Sequence, residues 1–107
     1  VTPRTLASMP THLLGRPAQI DVVAEIARRH GLYVIEDSCE ALGSRWRGRL
    51  AGTFGDAGCF SFFVSHAITT GEGGAVITDN PALADRDPKP SSMKAEALPY
   101  HRLRTRG

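Results

Sequence analysis

Residues 32–35 read Leu-Tyr-Val-Ile, an unbroken apolar run that is too short for a helix and suits a strand buried on both faces. No other stretch constrains the fold as much, because such a strand needs further elements packed above and below it. Upstream, Asp21 can cap a helix, its carboxylate accepting a free backbone N–H of the first turn. Val22, Val23, Ile26 and Ala27 then form an apolar stripe, with Glu25, Arg28 and Arg29 facing outward. Gly31 follows His30 as a C-terminal cap, so the helix is predicted over about 21–30. Leu6 to Leu14 reads as a short strand and its exit, with Pro10 limiting its length. Strand, helix, strand is a βαβ unit, which implies parallel strands and a right-handed crossover.

Downstream, Cys59 to Val64 reads as an aromatic strand and Gly74 to Thr78 as the next, while Asn80-Pro81 opens a short helix through Ala84. Arg45, Trp46, Arg47 and Arg49 read as a solvated turn and hairpin. The class is α/β, without an internal repeat. From residue 86 the character changes to a Pro-, Ser- and Arg-containing tail. Its prolines remove donors and restrict their predecessors, so 86–107 is expected to be poorly ordered. The basic stretch Tyr100 to Arg106 reads as a frayed end rather than a nucleic-acid arm.

Thirteen basic against 11 acidic side chains give a net charge of +2, too small to argue for nucleic acid or a membrane surface. Cys39 and Cys59 are too few for a disulfide framework and read as small buried packing residues. They share no metal-ligand spacing with His12, His30, His66 or His101, so no metal is expected. No run is long enough to span a membrane and no signal sequence opens the chain, which makes the cytoplasm the expected compartment.

Several residues carry chemistry. Asp37 ends the 32–35 strand on its carboxyl side, where open α/β sheets place ligands; taken alone, it reads equally as a loop cap or a salt-bridge partner. Its neighbour Glu36 reads as structural. Ser61 lies within an apolar strand and His66 follows it. The segment Thr69-Thr70-Gly71-Glu72-Gly73-Gly74 calls for a tight backbone path without Cβ atoms. It lacks the Gly-Lys-Ser/Thr ending of a Walker A loop and the spacing of a dinucleotide site, and residues 58–62 do not form a nucleophile elbow.

Together, Val34 to Asp37, the run Glu36 to Ser44, and Cys59 to Gly74 resemble the cofactor-binding core of the DegT/StrS family of pyridoxal-phosphate enzymes that modify nucleotide-linked sugars. The resemblance covers residues 1–85, about a quarter of a typical member. It implies a fragment of the large domain of a fold-type-I pyridoxal-phosphate transferase, with a mostly parallel sheet flanked by helices. The separations from Asp37 to Ser61 to His66 match the family's Asp, Ser and Schiff-base Lys positions without gaps.

The resemblance also implies roles. Asp37 would keep the pyridine nitrogen of pyridoxal or pyridoxamine phosphate protonated, and Ser61 would bind its phosphate. Glu40, where aminotransferases of the family carry glutamine, would lie on the cofactor side. His66 replaces the lysine that holds the cofactor covalently, as in the family's sugar 3-dehydrases, and a neutral imidazole suits proton transfer. Ala67 departs from those dehydrases, which often carry a second histidine there. The implied reaction is C3 dehydration of a nucleotide-linked 4-keto sugar in deoxysugar and polysaccharide biosynthesis. Glutamate is the amino donor and a homodimer the full-length state. Two rivals stand beside this expectation: an aminotransferase with an altered reactive residue, and a truncated gene product inactive by itself.

Overall fold

In a computed structural model, residues 1–84 are described. They form a four-stranded sheet in the order β1 (Ala7–Ser8), β2 (Tyr33–Asp37), β5 (Ala57–Ser61) and β6 (Gly74–Ile77). A separate hairpin, β3 (Arg45–Trp46) with β4 (Arg49–Leu50), interrupts the connection from β2 to β5. The expected tail over 86–107 lies outside the described residues.

The βαβ expectation holds: β1 pairs parallel with β2, α1 (Ile20–His30) lies between them in sequence, and β2 pairs parallel with β5. The last strand differs from its neighbours, because β6 runs antiparallel to β5. The sheet is therefore mostly, not wholly, parallel. α2 (Pro81–Ala84) follows with proline as its first residue and Asn80 Oδ1 accepting from the Ala82 N–H at 2.9 Å.

The start of α1 corrects the sequence reading. Gln19, not Asp21, is the N-cap, and its carbonyl receives the N–H groups of Val22 and Val23 at 3.1 and 3.2 Å. Burial of Ile20 draws the cap back by two residues, so the helix packs through Ile20, Val23 and Ala27 against Val34, while Val22 and Ile26 remain on its exposed side. Burying an Ile or Val side chain contributes about 1.5–3 kcal/mol, and this small cluster is the main apolar anchor of the layer. At the other end Gly31 adopts φ 64°, a left-handed cap that costs a residue without Cβ little.

Two strand readings also change. β5 begins at Ala57 and ends at Ser61, earlier than the aromatic run suggests, because residues 62–64 leave the sheet for a turn. Among the described residues β2 is covered on one face only. Val34 and Glu36 are enclosed under α1 and the 51–55 loop, whereas Tyr33 on the opposite face is 61% exposed. Among the described residues no helix is long and apolar enough to cross a membrane.

Candidate functional site

The sheet register sorts the polar residues into two sets. Neighbouring strand residues point to opposite faces, and Asp37 is the Cα partner of Cys59. Asp37, Cys59 and, two residues on, Ser61 therefore share the open face, at the carboxyl ends of two parallel strands. Glu36 and Ser38 lie on the closed face.

The Asp37 backbone is held on both sides. Its N–H donates to the Pro10 carbonyl and its carbonyl accepts from the His12 N–H, each at 2.9 Å. The carboxylate itself is lightly used: Oδ1 accepts the Cys39 N–H at 3.2 Å, and the weakly donating Cys39 thiol lies beside it. Ser61 Oγ accepts from the Phe63 N–H at 3.2 Å, which leaves its own hydrogen free to donate. Glu40 is exposed, and its Oε2 accepts the Leu14 N–H at 2.8 Å, so one oxygen secures the upstream connection and the other is free of that task.

His66 sits in the turn after β5, its N–H bonded to the Phe63 carbonyl at 3.0 Å and its ring edge-on to Phe63 with centroids 6.4 Å apart. Its Nδ1 is buried and has no partner among the described residues. The glycine-rich segment folds back on this turn: the Thr70 N–H donates to the Phe62 carbonyl at 3.0 Å, and the Phe62 N–H to the Gly73 carbonyl at 2.9 Å. Gly73 has φ 144°, a conformation closed to side-chain-bearing residues, which accounts for the glycine there. Asp37 and Ser61 thus come together by register, and the 70–73 return fixes the 62–66 turn beyond them.

Cys39 and Cys59 flank Asp37 and are half-buried rather than enclosed. Burial pushes the Cys39 thiol up to about 11, with the adjacent Asp37 carboxylate adding to the effect. Burial and Asp37 also raise Cys59. Both thiols therefore stay protonated at neutral pH, which suits packing and not nucleophilic attack. Among the described residues no group of His, Cys, Asp and Glu has the arrangement to hold a metal ion.

One residue was missed by the sequence reading. His12 is completely buried; its Nε2 lies 2.9 Å from Glu36 Oε2, and its Nδ1 accepts the Ala18 N–H at 3.0 Å. Glu36, also completely buried, takes further N–H donors from Gly52 at 2.8 Å, Phe54 at 2.5 Å and Gly55 at 2.7 Å. The structural reading of Glu36 is thereby explained. A usable signal was present: Val34 and Glu36 alternate on one face, and a carboxylate at a buried position must find donors.

Comparison with known proteins places this geometry. The described fold is part of the large domain of fold-type-I pyridoxal-phosphate-dependent aminotransferases. The sequence model of the DegT/DnrJ/EryC1/StrS aminotransferase family matches residues 1–93, and the chain belongs to that family. It is 54% identical over 84 residues to a dTDP-4-dehydro-2,6-dideoxy-D-glucose 3-dehydratase of Saccharopolyspora spinosa, a match covering 78% of this chain and 18% of the relative. It is 46% identical over 87 residues to a dTDP-3-amino-3,4,6-trideoxy-alpha-D-glucose transaminase of Streptomyces venezuelae, covering 80% of this chain and 23% of the relative. Among solved structures, the E. coli GDP-4-keto-6-deoxy-D-mannose-3-dehydratase with bound hydrated PLP is similar with TM-score 0.68 and 41% identity, over 75% of this chain and 21% of that one. The chain thus spans about a fifth of the length of these relatives, and both reaction types occur among them.

Asp37 and Ser61 on the open face, with His66 in the turn beyond them, have side chains whose chemistry fits a pyridoxal-phosphate group. Among the described residues they offer a carboxylate with spare acceptor capacity, a hydroxyl with a free hydrogen and an imidazole with an unpartnered nitrogen, groups able to bind a cationic ring nitrogen, bind a phosphate and move a proton.

Proposed function

We infer that the full-length protein carrying this segment modifies a nucleotide-linked 4-keto sugar with pyridoxal or pyridoxamine phosphate, and that it removes the C3 hydroxyl. The observation that carries this reading is His66, an imidazole in the turn after Ser61 whose buried Nδ1 has no partner among the described residues. An amine at that position could form an imine with the cofactor aldehyde; an imidazole cannot, and it is suited instead to taking and returning a proton.

When bound, the cofactor supplies an electron sink for negative charge developing beside the sugar carbonyl. The chain's own residues do the rest. Asp37 keeps the ring nitrogen protonated, because an anionic oxygen beside it favours the charged form. Ser61 donates its hydroxyl hydrogen to the phosphate, and Glu40 stands on the cofactor side of the turn. His66 takes the proton on its imidazole and returns it. The similarity to a named 3-dehydratase supports this direction of chemistry. Glutamate serves as amino donor, and a cytoplasmic homodimer is the working form in this reading.

Incubation of the full-length protein with a nucleotide-linked 4-keto-6-deoxyhexose, the cofactor and glutamate tests it. A 3-deoxy product is expected. A stable 4-amino sugar formed with stoichiometric 2-oxoglutarate would overturn dehydration and leave amino transfer in its place.

A further inference from the structure

The buried pair His12 and Glu36 has no part in the chemistry above, yet it lies directly behind Asp37. The geometry around it defines the protonation of the imidazole. Nδ1 receives an N–H from Ala18 and so carries no hydrogen; Nε2 faces a carboxylate and so carries one. The ring is neutral and in a single tautomer. Glu36 in turn receives four donors, from His12, Gly52, Phe54 and Gly55, which fills the acceptor sites of a carboxylate.

This arrangement joins three segments. The connection 11–18 is tied to β2 through the His12 ring, and the 52–55 loop is tied to β2 through its backbone N–H groups. The same connection also closes on Asp37 from in front, where the His12 N–H meets the Asp37 carbonyl at 2.9 Å and the Pro10 carbonyl receives the Asp37 N–H. Adjacent residues of a strand face opposite ways, so whatever fixes Glu36 on the closed side fixes the direction of Asp37 on the open side.

We propose that His12 is a positioning residue for Asp37: through Glu36 and the 10–14 connection it holds the carboxyl end of β2 so that the Asp37 carboxylate faces the open side in one orientation. The inference deepens the reading of Asp37 as the cofactor's partner and rests on it for its functional meaning, but the geometry can be tested without cofactor. Asp37 Oδ1 accepts the Cys39 N–H, so the thiol of Cys39 reports where that carboxylate stands. The charged or titratable groups acting on that thiol are Asp37 and Cys59.

The experiment uses the full-length protein without cofactor and two variants. In His12→Asn the shorter side chain can still accept from Ala18 but does not reach Glu36. In His12→Gln a terminal amide can still donate to Glu36. The rate of Cys39 alkylation by iodoacetamide is followed by peptide mass spectrometry, alongside amide exchange at Val23 and Ala27 in α1. His12→Asn should raise the Cys39 rate at pH 8 by about threefold to tenfold, since each unit of lowered thiol pKa multiplies the thiolate fraction about tenfold. His12→Gln should stay near wild type in both readouts, and in His12→Asn the rise at Cys39 should exceed any rise in exchange at Val23 and Ala27. Equal behaviour of the two variants overturns the proposal, whether both match wild type or both lose helix protection, because His12 then serves general packing. Titration with pyridoxal phosphate forms a separate arm. Binding about tenfold weaker in His12→Asn than in His12→Gln supports the link to function. Failure of the wild type to bind counts against the cofactor reading of Asp37, while the thiol rates still decide whether His12 orients it.

Discussion

The two faces of this sheet treat polar groups in opposite ways. On the closed face Glu36 is fully buried and every acceptor site of its carboxylate is filled by the chain itself. On the open face Asp37 and Ser61 each have one weak backbone bond among the described residues and capacity to spare. Both sets derive from adjacent positions of the same strands, so residue type does not separate them, and the closed-face set is the more deeply buried. What separates them is satisfaction: a polar group whose bonds are completed by its own chain holds the fold together, and one left incomplete is available to a ligand. Ser38 departs from this pattern, since its buried hydroxyl on the closed side has no partner among the described residues.

The comparison breaks most visibly at Glu36. Glu36→Ala takes the acceptor away from four buried donors, and removal of one partner from such a buried set costs about 3–5 kcal/mol. Since whole domains are stable by only about 5–15 kcal/mol, urea unfolding of the full-length variant should show a large loss or no folded state. Ser61→Ala, on the open face, should change stability by about 0.5 kcal/mol or less. Similar losses in the two variants would remove the distinction.

His66 tests the other side of the contrast. His66→Asn should lower the rate of 3-deoxy product formation by about 10²–10⁴-fold, the usual contribution of a general base, with cofactor affinity and unfolding midpoint little changed. A variant that loses stability in proportion to activity would move His66 to the structural set.

Much of this organisation was legible in the sequence. The βαβ unit followed from the apolar stripe before Gly31 and the run at 32–35, and the α/β class with it. The Asp37, Ser61 and His66 positions were read from the family resemblance, whose Asp, Ser and Schiff-base Lys positions they match in spacing. The remainder depended on partners distant in sequence. Glu36 meets His12 across 24 residues and Phe54 across 18, and no local pattern encodes either pairing. The antiparallel direction of β6 is likewise decided by its route back from the 62–73 turn, since an apolar strand reads the same in both directions. The cap of α1 was misplaced because Asp21 has the right chemistry for capping, while Ile20 beside it had a deeper burial to gain.

A subtler effect comes from Cys39, whose thiol is pushed up to about 11 from an ordinary value of 9.0 by burial and by Asp37. The unfolded chain releases this proton first as pH rises, so the contribution to stability is full below about pH 9 and is lost as pH climbs through about 11. Alkylation of Cys39 in the folded protein should accordingly rise steeply only above pH 9, and in urea should titrate near the ordinary value. Asp37→Asn should shift the folded profile to lower pH, because the carboxylate that opposes thiolate formation is gone; an unshifted profile would show that burial alone sets it.

The smallest expected effect lies at the rim of the closed side, in the hairpin between β3 and β4. Its two-residue loop, Arg47-Gly48, has φ 49° and 84°, the left-handed pair that matches the twist of a tight hairpin. Arginine at the first of these positions is strained, because its Cβ crowds the backbone there, whereas asparagine adopts this conformation more readily. Against that strain stands one bond: Arg47 Nη1 lies 3.1 Å from Asp21 Oδ2, joining the hairpin to the first turn of α1. The Arg47 side chain is 76% exposed, so the pair is screened and worth only about 0.2–1 kcal/mol. Arg47→Ala should lose that amount and keep the strain. Arg47→Asn should lose the ion pair but relieve the backbone, and so match wild type within a few tenths of a kcal/mol. Salt separates the two terms: raising it from 0.05 to about 1 M shortens the screening length to about 3 Å and should weaken the wild type while leaving Arg47→Asn unmoved. If both proteins respond to salt alike, the Asp21–Arg47 pair contributes nothing to holding the hairpin against α1.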